Sequence, residues 1–207
     1  VNDRPEANDD LLADIDEDQL LIIPEASLLG NDVDVDVDDT MTLQLASNVS
    51  VLDAQLSFNS GNAEVTYDPS QSSLIQALNE GQFLEDSFEY SVVDAGGLTS
   101  ELATVSFRVY GVNDAPVGVP DVAEINQNNR AVIDVLQNDS DIDGSIDEQS
   151  VLIERGAAFG TLTVNNDGII NYRSFGPLRG NDTFFYSVAD DQGARSESIL
   201  VTILGNL

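Results

Sequence analysis

The pattern Val-Asn-Asp-Xaa-Pro occurs twice, at Val1–Pro5 and Val112–Pro116, and each copy is followed by an Asn-Asp-Xaa-Asp-Xaa-Asp run, Asn31–Asp36 and Asn138–Asp143. An internal repeat with a period of about 100 residues restricts the fold more than any other feature of the chain. It requires two similar domains of ordinary size, 1–111 and 112–207, in place of one larger core. It also sets clustered carboxylates at matching points of both. The repeats align in three blocks: Val1–Ile22 with Val112–Ile133, the two acidic runs, and Asp86–Ser100 with Asp182–Ser196. The first domain gains four residues around Pro24–Ser27, and the gaps between blocks fall in expected loops, where insertions are tolerated.

The apolar segments are short and β-like. Thr104–Val109 and Leu200–Leu204 are rich in β-branched residues. Phe88, Tyr90 and Val92 alternate with other side chains, as do Phe184, Tyr186 and Val188, which is the two-residue period of a half-buried strand. Asp94-Ala95-Gly96-Gly97 and Asp190-Asp191-Gln192-Gly193 read as hairpin turns, with Gly97 and Gly193 at φ > 0. Tyr67, Tyr90, Tyr172 and Tyr186 fall in strand patterns and are expected in the core. One stretch departs from the β pattern: Ser72–Leu78 predicts one or two helical turns on a connection near 72–80, which the second domain replaces with Arg173–Asn181. The reading is all-β, two tandem immunoglobulin-like Greek-key sandwiches.

The charge is lopsided. There are 38 acidic residues and seven basic ones, all Arg, for a net charge of −31. Such a surface repels nucleic acid, whose phosphates need cationic partners. There is no Cys and no His, which removes disulfides, the favoured ligands of zinc and copper, and the usual nucleophilic triads. No run of residues approaches a membrane helix and no signal peptide opens the chain. Because it starts and ends on repeat boundaries, we expect a piece of a longer protein.

These blocks resemble the cadherin-like, immunoglobulin-like repeats (VCBS-type and related) of giant bacterial RTX adhesins secreted by type I machinery. The features that carry the resemblance are Val112–Pro116, Leu28–Asp36, Asp86–Asp94 and, again, Asp182–Asp190. The resemblance implies head-to-tail arrays at the bacterial surface or outside the cell, calcium within and between domains, and a role in adhesion and biofilm as a spacer projecting adhesive domains; it does not imply catalysis, and no enzyme is expected. An adhesive module binding a glycan or a cell-surface protein is the alternative.

Strand directions locate the acids without the family. With strands lettered A to G, the B–C loop and the F–G turn lie at the end where the chain enters each domain. That places Asp139, Asp141, Asp143 and Asp190 beside Asn113 and Asp114, and Asp32, Asp34, Asp36 and Asp94 beside Asp3. The A–B turn, Asp16-Glu17-Asp18, lies at the opposite end of the first domain and is expected at its junction with the neighbouring repeat. Carboxylates mixed with amide and backbone oxygens suit Ca²⁺, whereas Mg²⁺ retains its waters. Solvated acidic turns are the competing reading, and for Asp94 and Asp190 so is turn capping. An EF-hand is ruled out because Ser150 and Leu45 stand where its Glu should. Gln127-Asn128-Asn129 replaces the acidic A–B turn in the second domain, so fewer charges face any following domain.

Overall fold

The structure is a computed structural model and describes residues 1–36 and 39–205. Two compact units emerge, Val1–Val112 and Asn113–Leu207. Each is a two-sheet sandwich, and the architecture is that expected from the alternating apolar pattern.

In the first repeat, β1 (Asp10–Leu11), β2 (Ile15–Asp16), β3 (Leu21–Pro24), β4 (Thr42–Leu45), β5 (Gln55–Asn59), β6 (Glu64–Asp68), β7 (Phe83–Val93) and β8 (Ala103–Tyr110) follow in order. One sheet runs β1-β8-β7-β4, with β2 also on β8, and the other runs β3-β6-β5. The second repeat has β9 (Asp121–Glu124), β10 (Arg130–Asp134), β11 (Leu152–Arg155), β12 (Gly160–Val164), β13 (Ile169–Ser174), β14 (Asn181–Ser187) and β15 (Ile199–Leu204). Its sheets run β11-β14-β15-β9 and β10-β13-β12. In each repeat the first strand pairs parallel to the last: β1 and β2 with β8, and β9 with β15. All other strand pairs are antiparallel.

Alternation builds the cores. Ala103, Val105, Phe107 and Val109 of β8 point inward, as do Ile199, Val201 and Ile203 of β15. Burying each of these Val, Ile and Phe side chains contributes roughly 1.5–3 kcal/mol. Tyr67, Tyr90, Tyr172 and Tyr186 are all buried, and Tyr67 meets Phe107 edge to face with ring centres 4.9 Å apart. Gly97 and Gly193 take φ of 87° and 100°, the left-handed region that the hairpins at Asp94 and Asp190 require.

The four-residue gain in the first repeat is a short α-helix, α1 (Glu25–Leu28), whose Leu28 plugs the core. Glu25 also accepts a hydrogen bond from the Leu43 backbone at 2.7 Å, tying the insertion to β4. The helical character expected at Ser72–Leu78 amounts to one turn, in which Gln76 N–H donates to Ser72 O at 3.0 Å and Leu78 N–H to Ile75 O at 3.1 Å. Ile75 and Leu78 are buried beneath it. No helix among the described residues is long and apolar enough to cross a membrane.

Candidate metal centres

Each repeat gathers acids and amides where its first residues meet the loop after β3 or β10 and the hairpin after β7 or β14. In the second repeat, Asn113 donates its side-chain amide to Asp190 Oδ2 at 2.9 Å, and Asp114 N–H donates to Asp143 Oδ2 at 3.3 Å. The first repeat repeats both contacts: Asn2 donates to Asp94 Oδ2 at 3.0 Å and Asp3 N–H to Asp36 Oδ2 at 2.7 Å. So the same two hydrogen bonds pin the entering segment to its own sandwich twice over.

Several oxygens in these clusters are buried yet accept no hydrogen bond: Asp34 Oδ2 in the first repeat, and Asn113 Oδ1, Asp141 Oδ2 and Asp143 Oδ1 in the second. A buried polar atom without a partner costs free energy that a cation can offset. One carboxylate oxygen from each of Asp34, Asp39 and Asp94 lies within 4.8 Å of the others. Burial raises the pKa of Asp141, and the adjacent Asp143 carboxylate adds to the shift. Burial also pushes Asp190 upward, but hydrogen bonds from Asn113 and from the backbones of Gly193, Gln192 and Ala194 outweigh it and hold the group below its ordinary value. An all-oxygen donor set of carboxylates and one amide, with buried oxygens that accept no hydrogen bond, fits Ca²⁺.

Other sequence-predicted acids engage further partners. Asp32 accepts from Asn8 N–H at 2.7 Å and from the Tyr90 hydroxyl, which also reaches Asp10 at 2.9 Å. Asp139 accepts from Val119 N–H at 2.8 Å and from the Tyr186 hydroxyl at 2.7 Å. Both therefore tie the segment leading into β1 or β9, through a buried tyrosine, to the loop after β3 or β10. In the A–B turn Asp16 is exposed, while Glu17 is buried and accepts from Val112 N–H at 2.8 Å. Asp94 and Asp190 do cap their hairpins: Asp94 Oδ1 accepts from Leu98 N–H, and Asp190 Oδ1 from Gln192 and Ala194 N–H.

Three participants escaped the sequence reading. Asn2 was recoverable, since it is to the first repeat what Asn113 is to the second. Asp39 lies outside the alternating run and meets Asp34 and Asp94 only in the folded repeat. Asp191 accepts from Ser145 N–H at 3.2 Å and borders the second cluster.

The Asp139 arrangement carries a pH dependence. Asp121 is raised to about 6, chiefly by burial and then by the Asp139 charge. An acid whose folded pKa exceeds its unfolded value of 3.8 binds its proton more tightly when folded. Its contribution to stability is therefore present at low pH and is lost as pH rises through about 6. We expect Asp121→Asn to flatten the stability profile between about pH 4 and pH 6, as read by urea unfolding at a series of pH values. An unchanged slope would show that Asp121 titrates alike in both states.

The chain matches the bacterial cadherin-like domain twice, over residues 2–111 and 113–205. It belongs to that family. Both cadherin-like repeats are thus complete sandwiches with their own acidic cluster. No curated protein sequence matches the chain. Among solved structures it is similar to Drosophila N-cadherin EC1-3, at 14% identity and a TM-score of 0.36, covering 98% of this chain and 67% of that one. It is also similar to chicken VE-cadherin EC1-2, at 11% identity and 0.36, covering 96% and 98%. An endo-fucoidan hydrolase of glycoside hydrolase family 107 is similar at 15% identity and 0.40, and the chain spans 29% of its length.

Proposed function

We propose that this chain is a calcium-stiffened extender of a large bacterial cell-surface adhesin of the type I-secreted RTX class, projecting adhesive domains away from the cell. The observation that carries the reading is the repetition of one cluster: entering Asn-Asp, loop carboxylates and hairpin Asp, with buried oxygens lacking hydrogen-bond partners in both cadherin-like repeats. Two carboxylates about 4 Å apart repel by roughly 4 kcal/mol at an effective dielectric near 20. Asp34, Asp39 and Asp94 would ligate the ion in the first repeat, and Asn113, Asp141 and Asp143 in the second. Calcium would supply the charge compensation, and each entering segment would then be fixed to its own repeat. The reading places the protein outside the cell and gives it no catalytic role. Adhesive binding remains the second reading, favoured by a surface on the second repeat described below.

Thermal unfolding in chelator, in millimolar calcium and in matched magnesium tests the proposal. Calcium at a hundred times its dissociation constant should add about 2.7 kcal/mol per native-state site, with little from magnesium. Asp141→Asn combined with Asp143→Asn should remove the second repeat's share while leaving the first repeat's intact. No calcium shift in the unsubstituted protein would leave the acidic loops as solvated turns and sink the calcium reading.

A further inference from the structure

The arginines are unevenly distributed. Five of the seven, Arg130, Arg155, Arg173, Arg179 and Arg195, are in the second repeat. Two of these have evident structural roles: Arg155 lies over the Phe185 ring at 5.3 Å, and Arg195 donates to Ser187 and to the Ser150 carbonyl. Arg130, Arg173 and Arg179 are exposed and meet no carboxylate within ion-pair distance among the described residues, in a chain with 38 acids.

Strand register places two of them side by side. Arg130 of β10 opposes Arg173 of β13, which opposes Thr161 of β12; the next outward row is Val132, Asn171 and Thr163. By the two-residue alternation, Phe159 and Phe175 continue the outer rows of β12 and β13. They are 56% and 75% exposed, and Phe175 N–H donates to Phe159 O at 2.9 Å. Like charges directly opposed across a sheet are destabilising, and exposed aromatic rings add to the cost of this face. The first repeat has Asp68 after its buried Tyr67 where the second has Arg173 after Tyr172, so the corresponding position has the opposite charge. Asp134, at the far end of β10, is an acid on the same face.

We propose that this outer face of β10-β13-β12 binds an acidic polysaccharide. Guanidinium forks match carboxylate and sulfate oxygens in a two-point geometry. Thr161, Thr163 and Asn171 offer hydroxyl and amide groups to sugar hydroxyls, and the two phenylalanines offer flat apolar surface to sugar rings. The face forms a shallow trough of about 500 Å³ along Arg130, Thr161, Asn171 and Arg173. A cavity of about 320 Å³ adjoins Phe159, Phe175 and Arg179. A folded protein partner ordinarily covers roughly 800 Å² on each side, more than these few residues provide. The inference does not depend on calcium and goes beyond the extender reading.

The test is affinity electrophoresis and titration with dextran sulfate against uncharged dextran, in calcium buffer at fixed salt. The full chain should bind dextran sulfate and ignore dextran. Arg173→Asp, which installs the first repeat's residue, should weaken binding about tenfold, the loss expected of one charge-assisted pair, and Phe175→Ser should weaken it too. Neither variant should lower the parent's unfolding temperature, since both side chains are exposed and Arg173→Asp removes a like-charge opposition to Arg130. Absence of binding, equal retention on dextran, or binding undiminished in both variants would overturn the proposal. Concentration-dependent self-association abolished by Arg173→Asp would overturn it as well, by assigning the face to a second copy of the chain.

Discussion

Replacing Asp86 with Ala should unfold the first repeat well below its normal temperature. Asp86 is only 2% exposed, and its carboxylate accepts from the Tyr67 hydroxyl at 2.7 Å, the Ser50 hydroxyl at 2.6 Å, Leu52 N–H at 3.0 Å and Ser87 N–H at 2.7 Å. It thus joins β6, β7 and the turn before β5 in one buried knot. Each buried donor left without an acceptor costs about 1–3 kcal/mol, and a total of roughly 4 kcal/mol is reasonable after allowing for relaxation. For a domain of this size that corresponds to a fall of roughly 20 °C. Asp86→Asn keeps an acceptor and should cost about half as much. Asp182, which accepts from Tyr172, Ala158, Phe159 and Thr183, offers the same experiment in the second repeat. Hydrogen exchange should show the lost protection confined to the substituted repeat. An Asp86→Ala protein that melts with its parent would mean the knot adds nothing to stability.

Gly111→Ala should cost about 3 kcal/mol, an effect of overpacking against atoms that cannot move aside. A Cβ there would lie 2.4 Å from the carbonyl oxygens of both Leu78 and Asn79, where the end of β8 passes the connection into β7. Gly205 repeats the arrangement, with Gly180 O at 2.3 Å and Leu178 O at 2.4 Å. At both places the glycine N–H is used as well, on Gln82 O and Gly180 O, each at 3.0 Å. Gly30→Ala is the control, since nothing lies within 4 Å of its Cβ position, and it should change stability by less than about 0.5 kcal/mol. Urea unfolding of the two variants decides the matter; equal midpoints would show that the connection yields to the methyl group.

The sandwiches were legible because strand periodicity is local: Phe88-Tyr90-Val92 and its copy at Phe184-Tyr186-Val188 announce their buried face without any knowledge of the partner strand. The insertion at Pro24–Ser27 was visible as extra residues but not as a helix, because four residues carry too little pattern to show one. The acidic clusters were half legible. An Asp-Xaa-Asp-Xaa-Asp run shows that carboxylates are close in sequence, yet in an extended loop they face different neighbours. Asp139 and Asp32 turn to the tyrosine hydroxyls, Asp143 and Asp36 accept from the entering segment, and Asp141 and Asp34 accept from the backbones of Gly144 and Asp36. Asp39 lies beyond the alternating run and meets Asp34 and Asp94 only once the repeat has folded. Asp86 and Asp182 open an aligned block of the two repeats, and nothing local betrays that the sandwich closes over them. Arg130 and Arg173 are 43 positions apart in sequence and become neighbours only through register.

The parallel pairing of first and last strands has a mechanical consequence. A tether enters each repeat ahead of β1 or β9 and leaves after β8 or β15, and those two strands run in the same direction side by side. Tension on the chain therefore draws them past one another along their length. The hydrogen bonds between Val201–Leu204 and Asp121–Glu124 are loaded together in shear and cannot be opened one at a time from an end. A repeat built this way resists stretching by the simultaneous failure load of its whole terminal ladder, a geometry suited to a segment that transmits force.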